Sequence, residues 1–471
     1  MMRLFGHHVA VPVALLAFCD LCLFLLGLVL AVWLYPTFAQ APFFTGLQAI
    51  PLAGALAAIN LTCSVAAGLY ARDALTINAR LSRQSATAMS LVVIASAAFL
   101  IPASWVYGQR FTNLYAIALF AACLQLSLSF VVRAVLVDRV HVVGLKRRLL
   151  LLGGNSVAAK VEAWFAQNDP GYTEIVHYDS LRPGRVVPLR RRSATVLAAE
   201  VLPTTDLPQL ARDHCIDEIV ATEHHDTTVW NLFECRMRGV NVVDFLTFWE
   251  RETGRIDLDA IEPRWLVYSD GFRNSLLRRF SQRFADVSVS LLGLAITFPL
   301  MPIIALLIRV DSPGPIFYRQ ERVGKDDSLF QILKFRTMCI NAEPDDVPQW
   351  AQLDDARVTR VGRILRRTRI DELPQLINVL KGDMSLVGPR PERPAFVRTL
   401  RHKFPFYSVR HSVRPGITGW AQINYEYTAS LEDTKRKLEY DLFYVKNHSL
   451  FLNLAIILQT LRIVLWQHGA R

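Results

Sequence analysis

Long apolar runs separated by short polar segments fill the first third of the chain. Four of these runs are long enough to cross a bilayer as helices, which takes about 20 residues each. They cover residues 11–34, 47–70, 86–107 and 111–137. We therefore expect residues 1–146 to form a bundle of four transmembrane helices.

Basic residues are distributed unevenly over the loops of this predicted bundle. Segment 35–46 has no Lys or Arg, whereas segment 71–85 has three and segment 138–148 has four. Short loops rich in Lys and Arg stay in the cytoplasm. Both ends of the bundle are thus expected on the cytoplasmic side.

Shorter apolar runs follow, with a pattern typical of α/β domains. Residues 148–165 read as a buried strand, a glycine turn and an amphipathic helix. Further strands are expected at 195–199, 218–221 and 240–243, and a helix at 207–214. The pattern predicts a Rossmann-like α/β domain over residues 147–250.

The glycine turn of this domain departs from the dinucleotide-binding fingerprint. With Gly153 as the first glycine, the second position is Asn155 and the third is Ala158. The second glycine normally lets the backbone approach a pyrophosphate, so a structural or regulatory role is favoured. Residues 224–226, His-His-Asp, are either solvated loop residues or metal ligands, and the pattern leaves both open.

A fifth apolar run, at 287–308, follows a polar connector at 251–280. Pro299 and Pro302 lie near its middle, and each removes a helical hydrogen bond. The run could be an ordinary kinked span, or a re-entrant helix that breaks at Pro299 and returns to the same side. We favour the re-entrant form because basic residues flank both ends.

The last part of the chain, 281–471, concentrates basic residues beside one acidic pair. Two half-buried strands at 316–322 and 329–338 are expected to form a hairpin that carries Lys334 and Arg336. Arginine forks and lysine ammonium groups bind phosphate oxygens. These side chains are therefore candidates for phosphate contact.

Six arginines between 357 and 369 precede the pair Asp371-Glu372. Two ordinary explanations exist: the acids favour a helix N-terminus, and the arginines lie on lipid. The functional explanation is that the cationic field keeps both carboxylates ionised and gathers a nucleotide diphosphate beside a carboxylate nucleophile.

Composition narrows the class of protein. The 471 residues are 52% hydrophobic and 20% charged, which excludes a disordered chain and supports membrane segments. Lys and Arg number 52 against 41 Asp and Glu, a net charge of +11. On so apolar a chain, this excess suits anionic lipids or phosphate-bearing substrates, and no nucleic-acid partner is expected.

Four ordered motifs of the C-terminal part resemble a known family. They read DSPGPIFYRQERVG, KFRTM, LRRTRIDELPQLINVLKGDMSLVGPRPERP and RPGITGWAQIN. Over residues 278–466 the chain resembles the bacterial sugar transferases, which are polyprenol-phosphate sugar-1-phosphate transferases. The preceding bundle and α/β domain resemble the large monotopic subgroup that initiates exopolysaccharide synthesis.

The resemblance implies a mechanism and a location. A UDP-sugar would donate its sugar-1-phosphate to an aspartate, UMP would leave, and undecaprenyl phosphate would then accept the phosphosugar. On this chain Asp371 would be the nucleophile and a Mg²⁺ ligand, and Glu372 its partner in base or metal duty. The enzyme would lie in the bacterial inner membrane as a multi-pass protein with its catalytic domain in the cytosol, and a homodimer is left open.

The family's other functional positions also fall on residues of this sequence. The phosphate-contacting positions would be Lys334, Arg336, Arg367 and Arg390. Pro299 matches the helix-breaking proline, although Phe298 replaces the serine that commonly precedes it.

The fold class expected from residues and resemblance together is a membrane protein of mixed α and α/β type. It would comprise the four-helix bundle, the Rossmann-like domain, and the re-entrant helix with a mainly α cytosolic catalytic domain. Glucose-1-phosphate is the first expectation for the transferred group and galactose-1-phosphate the second. The rival functions are a processive glycosyltransferase and a non-enzymatic membrane scaffold or sensor.

Overall fold

The described chain forms two compact units. The computed structural model describes residues 2–4, 7–9, 11–34, 49–70, 79–107, 111–142, 147–152, 155–168, 173–178, 186–188, 207–222, 226–261, 263–269, 271–272, 275–340, 355, 357–425 and 430–466. The first unit comprises residues 9–61 and 70–253, and the second comprises 254–471 with 2–8 and 62–69.

The N-terminal part begins with two short paired strands and continues as four helices. The strands are β1 (Met2–Leu4) and β2 (His7–Val9). The helices are α1 (Val11–Leu34), α2 (Ala49–Ala66), α3 (Ala79–Tyr107) and α4 (Phe111–Val142).

Apolar helices make this a membrane protein, as the sequence predicted. Within the described ranges, four helical stretches are long and apolar enough to cross a bilayer: Leu16–Leu34, Gln84–Pro102, Leu114–Arg133 and Leu276–Asp311. Three of them fall in the predicted bundle. The run predicted at 47–70 differs, because its helix α2 has only 18 residues and its apolar stretch is Ile50–Val65.

The early end of α2 has a local cause. Gly68 adopts a φ of +81°, and the amide of Leu69 donates to the carbonyl of Ser64 at 3.1 Å. A left-handed glycine with this hydrogen bond is a common helix terminator. Residues 67–70 therefore form turns and do not extend the helix.

A polar contact holds α1 and α4 together. Asp20 is buried, 3.5 Å from the guanidinium of Arg133, and it accepts a hydrogen bond from the hydroxyl of Tyr70 at 2.8 Å. Buried ionisable groups in a membrane bundle require partners such as Arg133 and Tyr70. A close backbone contact also joins the two helices, because a β-carbon on Gly27 would lie only 2.9 Å from the Ala121 Cα.

The α/β part of the first unit has one five-stranded sheet in the order β5-β4-β3-β6-β7. Four strands are parallel, and β5 runs antiparallel to β4. The strands are β3 (Arg147–Leu152), β4 (Thr173–Tyr178), β5 (Val186–Pro188), β6 (Glu218–Ala221) and β7 (Asn241–Asp244). The helices are α5 (Asn155–Asn168), α6 (Leu207–Asp213), α7 (Asp226–Met237) and α8 (Phe245–Thr253).

The sheet agrees with the predicted α/β domain. The strands expected at 218–221 and 240–243 and the helix expected at 207–214 are present. The strand expected at 195–199 and the residues His224 and His225 lie outside the described residues.

The second unit consists mainly of helices and two small sheets. Its helices are α9 (Pro263–Tyr268), α10 (Leu276–Thr297), α11 (Met301–Asp311), α12 (Arg360–Arg367), α13 (Gln375–Lys381), α14 (Pro394–Lys403), α15 (Trp420–Asn424), α16 (Leu431–Asn447) and α17 (Leu450–Trp466). Its strands are β8 (Phe317–Val323), β9 (Leu329–Phe335), β10 (Ser385–Val387) and β11 (Gly416–Thr418). Strands β8 and β9 form an antiparallel hairpin, and β10 and β11 pair in parallel.

The apolar segment of the second unit is two helices joined by a break. Between α10 and α11, residues Phe298–Leu300 form a 3₁₀ turn that contains Pro299. Asp286 on α10 is buried and accepts hydrogen bonds from the Ser385 hydroxyl and the Leu386 amide, each at 3.0 Å. These contacts attach α10 to β10.

The chain that was expected to be a polar connector contributes to the core. Ile256, Leu258 and Ile261 are buried and pack in one apolar cluster with Leu438 and Leu442 of α16. The same cluster includes Val323 of β8 and Val397 and Leu400 of α14.

Candidate active site

The acidic pair lies in a tight turn between two helices. Asp371 and Glu372 belong to the 3₁₀ turn Ile370–Glu372, which Arg369 enters with a left-handed φ of 58°. Helix α13 then begins after Pro374, and no side chain caps its first turn. The helix-capping explanation of the acidic pair therefore finds no hydrogen bond in its support.

Both carboxylates are largely removed from solvent, with 8% of each residue exposed. Their surroundings differ, however. Glu372 Oε1 accepts one hydrogen bond from Lys334 Nζ and another from Arg390 Nη2, each at 2.9 Å. Lys334 comes from β9, and Arg390 comes from the proline-rich segment after β10.

The two carboxyl groups are shifted in opposite directions. Burial favours protonation of Glu372, but the charges of Arg390, Lys334 and Arg369 outweigh it and hold the pKa of Glu372 well below its usual range. Burial, and then the adjacent negative charge of Glu372, raise the pKa of Asp371 above its usual value. The nearest cations therefore favour the charged form of Glu372 more than that of Asp371, and the expected ionisation of Asp371 stays a prediction.

The side chain of Asp371 has an oxygen available for chemistry. Its Oδ1 is buried and makes no hydrogen bond to any described part of the chain. An unsatisfied buried carboxylate oxygen is costly, so such atoms mark ligand, metal or catalytic positions. The raised pKa also makes the deprotonated oxygen more basic than that of an ordinary aspartate.

Lys334 and Arg390 both contact Glu372, and their expected role in phosphate binding stays a prediction. Burial, opposed by the charge of Glu372, lowers the pKa of Lys334. Arg390 is half-buried. Both cations are therefore close enough to Glu372 to act on a charged substrate that reaches Asp371.

The side chain of Arg336 donates its hydrogen bonds to the turn that follows α11. Its buried guanidinium donates to the carbonyls of Pro313 and Ser312 at 2.8 and 2.7 Å, and to the Ser312 hydroxyl at 2.9 Å. Gly314, with a φ of +119°, leaves space for this guanidinium, which a β-carbon would overlap. Arg336 thus fixes the turn that follows α11, and its predicted phosphate contact stays a prediction.

Two arginines other than Arg367 bring charge to Asp371. Arg367 is exposed at the end of α12. Arg366 is half-buried, donates through Nε to the Thr337 hydroxyl at 2.9 Å, and interacts electrostatically with Asp371. Arg369 acts on both carboxylates. The sequence indicated an arginine cluster but gave no signal for which members act on the acidic pair.

A buried group that the sequence analysis missed supports Arg390. Arg410 donates to the backbone carbonyl of Arg390 and to Asp441, each at 2.8 Å, and to the Tyr407 hydroxyl at 2.7 Å. Burial, opposed by Arg410, raises the pKa of Asp441 to about 6. Only the position of Arg410 just before the RPG motif could have drawn attention to it.

The loop of the RPGITGWAQIN motif that contains Trp420 packs against the rest of the second unit. Its indole donates to the Gly254 carbonyl at 2.7 Å and stacks on Phe443 at 5.6 Å. Gly416 and Gly419 lie against the backbone of Gly388, where a β-carbon on either would overlap. The loop is therefore held in place by contacts within the fold.

The residues at the site fit a magnesium ion that is held largely by substrate. Across the described ranges, no group of three or more His, Cys, Asp or Glu side chains could form a complete metal site. Magnesium, however, commonly binds one or two carboxylates together with substrate phosphates and water. The unpaired Oδ1 of Asp371 is a suitable ligand of this kind.

Comparison with known proteins identifies the second unit. Residues 277–467 match the family model described as bacterial sugar transferase. A UDP-glucose:undecaprenyl-phosphate glucose-1-phosphate transferase of Caulobacter vibrioides is 46% identical over 181 residues, which cover 38% of this chain and 67% of that protein. The chain belongs to the bacterial sugar transferase family.

Longer relatives are matched over part of their length. A UDP-N-acetylgalactosamine-undecaprenyl-phosphate N-acetylgalactosaminephosphotransferase of Aeromonas hydrophila is 42% identical over 259 residues, or 54% of this chain and 60% of that protein. A UDP-glucose:undecaprenyl-phosphate glucose-1-phosphate transferase of Escherichia coli is 42% identical over 186 residues, or 39% of this chain and 40% of that protein. The match thus spans roughly half the length of these two family members.

Proposed function

We propose that this protein transfers a sugar-1-phosphate from a UDP-sugar to undecaprenyl phosphate. The observation that carries the proposal is the asymmetry of the acidic pair. Glu372 is bound to two cations, while Asp371 next to it has a buried oxygen to which no described residue donates a hydrogen bond. The three relatives described above are named as enzymes that use a UDP-sugar and undecaprenyl phosphate, which supports the same substrates for this chain.

The reaction proceeds in two displacements at the β-phosphorus of the donor. An oxygen of Asp371 bonds to this phosphorus, the bridging oxygen–phosphorus bond breaks, and UMP leaves with the electron pair. A phosphate oxygen of undecaprenyl phosphate then bonds to the same phosphorus, and the Asp371 carboxylate is released. The double displacement lets a water-soluble donor and a lipid acceptor use one site in turn.

Charge compensation is the task of the surrounding cations. A diphosphate approaching a carboxylate is repelled unless positive charge is nearby. Lys334 and Arg390 supply positive charge next to Glu372. Arg366 and Arg369, which precede Asp371 in the sequence, supply further positive charge. Mg²⁺, held by Asp371 and the donor phosphates, would supply further charge stabilisation.

Glu372 serves as a fixed anion in this mechanism. With its pKa held low, it is a poor proton acceptor, so the base role considered for it is disfavoured. Its charge instead raises the basicity of Asp371 and holds Lys334 and Arg390 in place.

The apolar helices α10 and α11 bring the site to the lipid surface. Large side chains such as Phe284, Leu292 and Leu306 are exposed along them, which suits contact with lipid. The 3₁₀ turn at Pro299 and the basic residues on both flanks support a re-entrant path. We infer an inner-membrane protein whose catalytic part, 281–471, is cytosolic.

The division of the chain into domains is also part of this proposal. Residues 1–146 would form the transmembrane bundle, 147–250 the α/β domain and 251–280 the connector. The α/β domain would regulate or stabilise the enzyme, and a homodimer remains a proposal.

Two sugars compete as the transferred group. Glucose is supported by the relatives from Caulobacter vibrioides and Escherichia coli. N-acetylgalactosamine is supported by the Aeromonas hydrophila relative, whose similarity extends over more residues than the family region. Galactose, the second expectation from the sequence, is the third candidate.

A membrane assay of UMP release tests the proposal. Membranes with the protein and undecaprenyl phosphate should release UMP from one of these UDP-sugars, and Asp371→Asn should abolish release. Thr368→Ser, an exposed change close to the pair, is the matched control and should retain activity. Activity of Asp371→Asn equal to that of the control would overturn the mechanism, and a scaffold predicts no release from any donor.

A further inference from the structure

Helix α7 of the α/β domain carries an exposed apolar stripe. Trp230, Phe233 and Met237 are 75%, 54% and 72% exposed, and their spacing places them on one face of the helix. The rings of Trp230 and Phe233 meet edge to face at 6.1 Å. Val229, 47% exposed, extends the stripe.

Among the described residues of the domain, the stripe takes no part in the apolar cluster that packs against the sheet. The opposite face of α7 places Cys235 and Leu232 in the apolar cluster of the sheet, together with Leu210 and Ile219. Replacing the stripe residues by polar ones would leave that cluster intact. An exposed apolar patch of this kind on a folded domain indicates a binding surface.

The topology places the end of the stripe at the edge where the chain leaves the membrane bundle. Helix α7 leads to β7, so Met237 lies near the amino end of that strand. Asn241 of β7 pairs with Glu218, which pairs with Leu149 of β3. Strand β3 starts at Arg147, and four residues separate it from Val142 at the end of α4. A domain tethered so closely has its amino edge within reach of the bilayer.

The chemistry of the stripe fits a lipid surface better than a second copy of the chain. Trp and Phe are typical of the apolar face of helices that lie on a membrane. Glu234, which lies on the same face, is paired with Arg238, and the exposed Arg236 adds a positive charge beside the stripe. Four side chains expose a few hundred Å² of apolar surface at most. A stable protein interface buries about 800 Å² on each partner. We propose that the stripe on α7 docks the α/β domain onto bilayers that contain anionic lipid.

Photocrosslinking in nanodiscs tests this docking on the full-length protein. A p-benzoylphenylalanine in place of Phe233 or, in a second variant, of Met237 should form a lipid adduct in discs of phosphatidylcholine and phosphatidylglycerol. The matched control carries the same group in place of Ser156, which is exposed at the first turn of α5, beyond the opposite edge of the sheet. Mass spectrometry of the labelled peptide distinguishes lipid from protein adducts.

The expected result is a lipid adduct at both stripe positions and background labelling at position 156. Adding Arg236→Gln should lower the adduct about fivefold in anionic discs, since one basic residue near such a surface contributes that factor. Crosslinks between two copies would overturn the proposal in favour of self-association, and labelling no higher than at position 156 would overturn it outright. Equal labelling in phosphatidylcholine alone would overturn the requirement for anionic lipid.

Discussion

Arg336 offers a sharp test because sequence and structure suggest different roles for it. The structure commits its guanidinium to three hydrogen bonds with Ser312 and Pro313. Arg336→Lys keeps the positive charge but leaves one ammonium where the fork made three bonds. With two bonds lost, at about 1.5 kcal/mol for each bond from a charged donor, the cost is about 3 kcal/mol.

This cost should lower the thermal stability of the protein, while KM for the UDP-sugar should not change. The midpoint of thermal unfolding, followed in detergent by intrinsic fluorescence, should fall by about 6–12 °C. This is the shift that about 3 kcal/mol causes in a unit the size of residues 254–471. Arg309→Lys is the control. Arg309 is exposed, and within the described part of the chain its one hydrogen bond is to the Gly314 carbonyl at 3.5 Å, so the change should alter stability by less than about 0.5 kcal/mol. KM for the UDP-sugar, measured below the melting range, should stay the same. An unchanged midpoint with a KM raised about tenfold would show that Arg336 binds phosphate and would refute this reasoning.

Further predictions follow from the same contacts. Glu372→Gln removes a charge that raises the pKa of Asp371, so the acid limb of the kcat/KM profile should move to lower pH; a shift to higher pH would contradict the electrostatics. Gly314→Ala should cost about 1–3 kcal/mol in thermal unfolding, because its φ of +119° and the guanidinium of Arg336 leave no room for a β-carbon. Burial raises the pKa of Asp441 from 3.8 to about 6, so its contribution to stability is full below pH 3.8 and lost as pH rises through about 6. Relative to Asp441→Asn, the wild type should therefore lose about 3 kcal/mol between about pH 4 and pH 7, and a constant difference in denaturant unfolding would contradict the shift.

Local patterns in the sequence predicted elements well wherever neighbouring residues decide the structure. The alternation at 316–322 and 329–338 predicted the hairpin of β8 and β9, and the helix expected at 207–214 is α6. The early end of α2 was missed, because one left-handed glycine, Gly68, decides it. Hydrophobic length alone carries no information on such a terminator.

Interactions between distant residues could not be predicted in the same way. Arg410 and Asp441 meet from separate elements, and no spacing rule connects them. The long side chain of Arg336 could reach either a phosphate or a backbone turn, and only the position of Gly314 decides between them. The opposite pKa shifts of Asp371 and Glu372 likewise depend on which carboxylate the nearest cations contact.

The central claim is that Asp371 carries the phosphosugar covalently, and a trapping experiment tests it most directly. The protein in membranes is given UDP-sugar labelled in the sugar without undecaprenyl phosphate, quenched, digested and analysed by mass spectrometry. The account predicts label on the peptide that contains Asp371, and release of that label as lipid-linked product once undecaprenyl phosphate is added. Formation of product by a preparation whose Asp371 peptide never carries label would contradict it.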